Sequence, residues 1–170
     1  MGNSEVGHMN LGAGRIVYQD LAKINLAVAH KTLAKEQVLI DAFTYAKNNN
    51  KKVHFLGLVS DGGVHSHTSH LRGLIDASQE YGLDQVYIHA FTDGRDVDPK
   101  SGAKYIHDLD EYIKDTPVKI ASIIGRYYAM DRDKRWERVK LAYDLVVNGV
   151  GIPSTNAVAS VLDSYAHDVT

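Results

Sequence analysis

The 170-residue sequence contains no cysteine. Disulfides, catalysis by a thiolate and cysteine-based zinc sites are therefore excluded, and the absence weakly favours the cytosol. No apolar run approaches the ~20 residues that a membrane-spanning helix needs, and the first residues carry no apolar stretch of the kind found in secretion signals. The formal net charge is only −2, so nothing in the overall charge indicates a nucleic acid or a membrane as partner.

Residues 53–67 set the pattern for the rest of the chain. They begin as an apolar run with β-branched residues, which is typical of a buried strand, and they pass into the turn sequence Asp61-Gly62-Gly63. Similar runs begin at Val86 and Val118, so the strand starts are 33 and 32 residues apart. This spacing is the length of a β-α-β unit, whose two strands are parallel.

The predicted fold class is therefore α/β, as a three-layer domain with a mainly parallel sheet. Strands are expected near 53–59, 85–91 and 118–124. Most sheets have about 4–6 strands, so three strands leave this sheet incomplete. Helical periodicity predicts helices over these segments: 18–31, Thr32 to about 47, the stretch after His70, 103–114, a segment from about Trp136, and about 155–165.

Asn3 or Ser4 is expected to cap a short helix with Glu5 in its first turn, and the glycine-rich remainder up to Arg15 is expected to be a loop. In the helix near residue 136, the residues expected to face inward are Trp136, Val139, Tyr143 and Val146. Neither end of the chain has an evident scaffold or closing element, so we interpret the sequence as an internal piece of a longer protein.

Three arginines, Arg95, Arg126 and Arg132, follow the second and third predicted strands. Parallel strands end at one edge of a sheet, where open α/β sheets bind ligands, and the planar guanidinium suits phosphate and carboxylate oxygens. The arrangement predicts an anion site for a small, multiply charged substrate. The alternative is that each arginine forms surface salt bridges with neighbouring aspartates, namely Asp93, Asp96, Asp131 and Asp133.

Asp96 is the candidate general acid or base, because a carboxylate among cations can be poised against a substrate hydroxyl. His65, His67 and His70 could form a metal site. The interpretation we favour has His65 contacting the anion, with the other two histidines as caps or surface residues. His65, Arg95, Asp96, Arg126 and Arg132 are thus expected to line one cleft.

Ser4 follows no predicted strand. Spacing alone favours a simple helix cap for it, since a serine nucleophile needs activation by a base or a metal and only His8 lies nearby in sequence.

Four motifs together resemble the cofactor-independent (2,3-bisphosphoglycerate-independent) phosphoglycerate mutase family. They span nearly the whole chain in family order, and their joint occurrence is highly specific. They are Gly2-Asn3-Ser4-Glu5-Val6-Gly7-His8-Met9-Asn10, Ser60-Asp61-Gly62-Gly63-Val64-His65-Ser66-His67, Asp93-Gly94-Arg95-Asp96, and the segment from Gly125-Arg126 to Arg135-Trp136.

The resemblance implies a glycolytic isomerase that interconverts 3-phosphoglycerate and 2-phosphoglycerate through a phosphoserine intermediate. It implies that Ser4 is the nucleophile and a metal ligand, which replaces the interpretation of Ser4 as a cap. It further implies that Asp96 moves protons at the glycerate hydroxyls, and that the substrate-binding residues are His65, Arg95, Asp96, Arg126 and Arg132. Two divalent ions, with Mn²⁺ the expected one, would activate the serine, their other ligands lying outside this chain.

By the same resemblance, residues 1–17 are the nucleophile segment of a phosphatase-like domain and residues 18–170 part of a phosphotransferase domain. The whole enzyme is expected to be a cytoplasmic monomer without nucleic-acid or membrane partners, and this chain alone to be inactive. Two alternatives stay open: a metal-dependent phosphohydrolase of the alkaline phosphatase superfamily, with water as acceptor, and a non-catalytic anion-binding module.

Overall fold

Three parallel strands form the sheet. The computed structural model describes residues 4–167, and its strands are β1 (Val53–Leu58), β2 (Val86–Thr92) and β3 (Lys119–Gly125). β2 lies in the centre, and both pairs are parallel. The predicted α/β fold with a parallel sheet is confirmed, and the arrangement is consistent with a three-layer α/β domain.

Helices precede, connect and follow the strands. They are α1 (Ser4–Ala13), α2 (Asp20–Ala29), α3 (Gln37–Asn48), α4 (Thr68–Glu80), α5 (Gly102–Ile113), α6 (Arg126–Ala129), α7 (Trp136–Asn148) and α8 (Ala157–Ala166), with a short 3-10 helix at Leu33–Lys35. α4 and α5 are the connections that a parallel sheet requires.

The hydrophobic core uses alternate residues of the strands, since neighbouring side chains of a strand point to opposite faces. Val86, Ile88 and Ala90 of β2 are buried in one cluster with residues from α3, α4, α5 and α8. Phe43 of α3 anchors this cluster, with its ring edge-on to Phe55 of β1. Burial of these apolar faces fixes which way each strand faces, and so the direction of the residues just beyond it.

The opposite face of the sheet is more polar. His54 Nδ1 on β1 lies 2.9 Å from His89 Nε2 on β2, and His89 Nδ1 lies 2.7 Å from the Ser122 hydroxyl on β3. These three side chains connect the strands across the sheet. Leu56, on the same face of β1, is 55% exposed.

A β-bulge interrupts the pairing of β2 with β3. Ile88 pairs with Ile120, but His89 pairs with Ser122, so Ala121 is the extra residue. Beyond the bulge the paired residues are 33 positions apart, up to Thr92 with Gly125. The bulge therefore decides which residue of β3 stands beside the end of β2.

The predicted glycine-rich loop is wrong, because α1 runs to Ala13. A glycine inside a helix costs only about 0.5–1 kcal/mol relative to alanine, so Gly7 and Gly12 do not prevent the helix. Gly14, with φ of 60°, follows it in the left-handed conformation that commonly terminates helices. The expected capping by Asn3 or by the Ser4 side chain lies outside the described residues.

The predicted start of α3 at Thr32 is also wrong. The Thr32 hydroxyl donates to the carbonyl of Ala27 at 3.3 Å, so this side chain is tied to the end of α2. A 3-10 helix intervenes, and α3 begins only at Gln37. The predicted end of α3 near residue 47 is confirmed, since α3 ends at Asn48, Asn49 caps it and Asn50 has φ of 50°.

Trp136 and Tyr143 do not face inward as predicted. They are 70% and 59% exposed, whereas Val139 and Val146 are half-buried and Ala142 is buried. At 100° per residue, Trp136 and Tyr143 lie to one side of the strip formed by the other three. Their aromatic character suggested a wider buried face than α7 has.

Within residues 4–167 no helix combines the length and the apolar character needed to cross a membrane.

Candidate functional site at the carboxyl edge of the sheet

The site begins where β1 and β2 end. Val59 continues the ladder by donating its N–H to Phe91 at 2.9 Å, and the next residue, Ser60, is buried. The Ser60 hydroxyl donates to Oδ2 of Asp93 at 2.6 Å. A serine at the end of one strand is thereby joined to an aspartate at the end of its neighbour.

Asp93 is the most heavily hydrogen-bonded carboxylate of the site. Its side chain is 1% exposed, and its Oδ1 accepts from the N–H groups of Arg95 and Asp96, each at 3.1 Å. Burial alone would raise the pKa of Asp93, but hydrogen bonds from Ser60, from those N–H groups and from Arg126 outweigh it and lower the pKa to about 2. Asp93 is therefore ionised at neutral pH, and it stabilises the turn that follows β2 by accepting from the Arg95 and Asp96 N–H groups.

Arg126 joins two carboxylates. Its Nη1 lies 2.8 Å from Asp93 Oδ1 and 2.7 Å from Asp96 Oδ2. The Arg126 side chain is 12% exposed. Burial would lower its pKa, but the bonds to Asp96 and Asp93 raise it overall, so the guanidinium stays charged. Two strand ends are thus connected through one cation.

His65 also approaches the Asp96 carboxylate. Its Nε2 lies 3.9 Å from Asp96 Oδ2, and its side chain is exposed. Gly62 brings this loop close, because a Cβ at that position would lie 3.0 Å from Asp96 Cβ. The structure thus brings together three of the predicted site residues: His65, Asp96 and Arg126.

Arg95 and Arg132 are different from Arg126. Both are exposed, and neither side chain forms a hydrogen bond or an ion pair with any residue in the range 4–167. The surface-salt-bridge alternative is wrong for these two. Arg126 does pair with two of the aspartates that the alternative named, Asp93 and Asp96, but these ion pairs are largely closed to solvent. No contact among the described residues connects Arg132 to the other four, so convergence of the full set stays a prediction.

The turn that carries Arg132 has its own aspartate. Asp131 is buried at the side chain, and its Oδ2 accepts from the N–H groups of Asp133 at 3.2 Å and Arg135 at 2.9 Å. Arg138 of α7 pairs with Asp131 at 3.4 Å and lies 3.8 Å from the centre of the Tyr127 ring. Sequence reasoning missed Arg138, which resembles any exposed helical arginine.

The three histidines at positions 65, 67 and 70 have different polar partners. His67 caps α4, its Nδ1 accepting from Ser69 N–H at 3.1 Å, and His70 Nε2 lies 2.6 Å from Asn25 Oδ1. Burial, and secondarily His67, lowers the pKa of His70. No group of three or more His, Asp or Glu side chains within residues 4–167 is placed to hold a metal. The backbone of Ser4 starts α1, and its side chain lies outside the described part of the chain.

A cavity of about 190 Å³ lies between the first turns of α4 and α5. Its polar lining includes Asp61, Arg72 and Lys104, and it contains none of the predicted site residues. The Tyr105 hydroxyl donates to Asp61 on this wall, and that bond, with burial, raises the pKa of Tyr105 to about 12.

These features define an α/β protein with cationic and acidic side chains at the carboxyl edge of a parallel sheet, where an anion with hydroxyl groups can be bound. The model of the family described as "BPG-independent PGAM N-terminus (iPGM_N)" matches residues 24–170. The chain belongs to this family, the 2,3-bisphosphoglycerate-independent phosphoglycerate mutases.

Relatives of this name match the whole chain. It is 94% identical over 170 residues to the 2,3-bisphosphoglycerate-independent phosphoglycerate mutase of Flavobacterium johnsoniae and 72% identical to that of Flavobacterium psychrophilum, covering 100% of this chain and 34% of each relative. The chain thus spans about a third of the length of these curated relatives.

A solved structure agrees with the fold. It is described as "Crystal structures of Leishmania mexicana phosphoglycerate mutase at low cobalt concentration", and it shares 29% identity with this chain at a TM-score of 0.85. The comparison covers 99% of this chain and 32% of the solved one.

Proposed function

We propose that this chain supplies the substrate-binding edge of an enzyme that interconverts 3-phosphoglycerate and 2-phosphoglycerate in glycolysis, an isomerase of the cytoplasm. The observation that carries the proposal is the contact of Arg126 with Asp96, 2.7 Å apart. Arg95, next to Asp96 in sequence, and Arg132, in the segment after β3, have no ion pair among residues 4–167. Cations can bind the phosphate and carboxylate of the substrate, while a carboxylate among them can exchange protons with its hydroxyls.

The proposed roles follow from this chemistry. His65, Arg95, Arg126 and Arg132 bind the anionic groups of phosphoglycerate. The Ser4 hydroxyl gives up its proton to solvent and its oxygen attacks phosphorus. The bond from phosphorus to O3 breaks, and Asp96 donates a proton to O3 as it leaves. Asp96 then accepts a proton from O2, which attacks the phosphoserine. The bond from phosphorus to the serine oxygen breaks, and that oxygen takes a proton from solvent to restore the hydroxyl. Because the reaction exchanges one phosphate ester for another, positioning and charge stabilisation dominate catalysis.

The proposal extends to domains and cofactors. Residues 1–17 would belong to a phosphatase-like domain and residues 18–170 to the phosphotransferase domain. Two divalent ions, with Mn²⁺ as the candidate, would be held by Ser4 and by residues outside this chain. Residues 4–167 do not form a metal site by themselves. The whole protein would be a monomer that binds neither nucleic acid nor membranes.

The test uses a chimera in which residues 1–170 of this sequence replace the matched third of the full-length Flavobacterium johnsoniae protein. With 3-phosphoglycerate and Mn²⁺, the chimera should form 2-phosphoglycerate at a rate close to that of the parent. Arg95→Ala should weaken substrate binding by ~10–150-fold, since one charge-assisted contact is worth about 1.5–3 kcal/mol. A folded chimera without activity, beside an active parent, would contradict the proposal.

The 170-residue polypeptide by itself should bind 3-phosphoglycerate weakly and should not turn it over. The physical reason is that proximity to an activated nucleophile supplies up to about 7–11 kcal/mol in such reactions, and an unactivated serine hydroxyl is a poor nucleophile. Turnover near that of the chimera, surviving controls for contamination, would show that the assignment of the chemistry is wrong.

A further inference from the structure

We infer that Ser60 and Asp93 are positioning residues of the phosphoglycerate site, which hold the Arg126 guanidinium and the turn that carries Arg95 and Asp96. This inference rests on the proposed function and deepens it. It starts from a regularity of the fold: Ser60, Asp93 and Arg126 are spaced by 33 residues each, which is also the spacing of paired residues along β1 and β2.

The three residues therefore form one row just beyond the ends of the strands, two positions after the paired residues Leu58, Phe91 and Ile124. Between β1 and β2 the row continues an unbroken register. Between β2 and β3 it depends on the bulge at Ala121, because the spacing before the bulge is 32 residues, as in Ile88 with Ile120. Without the extra residue, Gly125 would stand beside Asp93. Bulges beside functional sites commonly re-aim a side chain in this way.

The Asp93 carboxylate accepts four hydrogen bonds. Its Oδ2 accepts from Ser60, and its Oδ1 from Arg126 and from two backbone N–H groups. With 1% of its side chain exposed, Asp93 cannot reach a substrate, and buried Ser60 is equally closed. Their effect on the reaction must therefore pass through Arg126 and the turn.

Arg126 is held at one end only. Both of its ion pairs use Nη1, while Nε and Nη2 form no hydrogen bond within the described residues. No buried side-chain nitrogen or oxygen there lacks a partner, so Nε and Nη2 are not fully sealed from solvent. Neither carboxylate uses these two donors, and together they form the fork geometry that suits phosphate or carboxylate.

The test measures orientation and binding separately in the 170-residue protein. The variants are Asp93→Asn, Ser60→Ala and a matched control, Asp98→Asn, from the same turn. Asp98 is exposed and accepts only from nearby residues, for example from Lys100 N–H at 2.9 Å. The first readout is the hydrogen-exchange rate of the Arg126 guanidinium by NMR, and the second is affinity for 3-phosphoglycerate by calorimetry.

Asp93→Asn should speed guanidinium exchange at least 10-fold and weaken 3-phosphoglycerate binding at least 10-fold, with a wild-type circular dichroism spectrum. Ser60→Ala should speed guanidinium exchange and weaken 3-phosphoglycerate binding by about 3-fold each. If Asp93→Asn does not fold, Ser60→Ala still tests the inference. Asp98→Asn should match the wild type in both.

Wild-type exchange and affinity in Ser60→Ala, or in folded Asp93→Asn, would overturn the inference. If the wild-type protein itself does not bind 3-phosphoglycerate, the proposed function of this chain fails. The exchange rates still decide separately whether Ser60 and Asp93 hold Arg126.

Discussion

Arg126 Nη1 lies 2.8 Å from Asp93 Oδ1, and the two side chains are 12% and 1% exposed. A pair this well shielded should respond to mutation differently from an exposed arginine such as Arg95. Removing one member of a buried ion pair leaves the other charge without compensation, at a cost of about 3–5 kcal/mol. Removing an exposed side chain that has no partner leaves no uncompensated charge in the protein.

Arg126→Ala should therefore lower the free energy of unfolding by roughly 3 kcal/mol, the lower end of that range, because Ser60 and two backbone N–H groups still contact Asp93. Arg95→Ala should stay within about 0.5 kcal/mol of the wild type. Urea unfolding at pH 7, followed by circular dichroism, measures both. Equal losses in the two variants would contradict the distinction between them.

The histidine pair on the open face of the sheet predicts a pH dependence. Burial, and secondarily His54, lowers the pKa of His89. The unfolded chain then binds a proton more readily than the folded one, so stability is present above the unfolded value of 6.5 and is lost as pH falls below it. Between pH 7.5 and 5, the wild type should lose stability more steeply than His89→Gln.

The control for this comparison is His30→Gln, an exposed histidine at the end of α2, which should follow the wild-type curve. Asp93 does not contribute in this range because its pKa values, folded and unfolded, lie below it. If stability falls with pH equally in the wild type and in His89→Gln, the pKa of His89 is not lowered in the folded protein.

The sequence predicted the sheet because its strands are short apolar runs separated by helical segments, and the 33-residue recurrence allows little but parallel pairing. It did not predict the bulge, since one extra residue in β3 leaves both the apolar run and the spacing almost unchanged. The only sign of the bulge in the sequence is that the predicted strand starts are first 33 and then 32 residues apart. The error at Trp136 arose because an aromatic residue on a helix suggests burial that packing does not supply.

The candidate site was predicted in part. Asp96 and Arg126 follow strands whose ends must meet, so their contact follows from topology. Ser60 was missed as an anchor because a serine before a glycine turn has many ordinary uses. The signal that could have found it is the equal spacing of Ser60, Asp93 and Arg126. The position of the Arg132 side chain depends on the turn after α6, which no periodicity specifies.

Gly62 provides a test of the geometry around Asp96. In Gly62→Ala the new Cβ would lie 3.0 Å from Asp96 Cβ, so one of the two loops must shift by a few tenths of an ångström. Misplacement of a reacting group by 1 Å can cost about 100-fold in rate. In the chimera, kcat should therefore fall by roughly 10-fold while KM changes less than about 3-fold.

Gly125→Ala is the matched control, because its Cβ would meet neighbouring atoms only at 3.8 Å and beyond. It lies at the same edge of the sheet and should keep kcat close to that of the unmodified chimera. If Gly62→Ala turns over normally, or if Gly125→Ala is impaired as strongly, the close approach of Gly62 to Asp96 does not matter for the reaction.

The carboxylate of Asp93 should also determine how the protein responds to acid. Its folded pKa of about 2 lies below the ordinary value of 3.8, so its contribution is fully present above about pH 4 and is lost as pH falls toward 2. A shift of this size corresponds to about 2 kcal/mol at 1.36 kcal/mol per unit. Asp93→Asn has no such group, so its unfolding free energy should be lower at pH 7 and should approach the wild-type value only as pH falls to about 2. Urea titrations at several pH values, with Asp98→Asn as the control, measure the two curves. A constant difference between wild type and Asp93→Asn from pH 7 to pH 2 would mean that the hydrogen bonds to Asp93 do not depend on its charge.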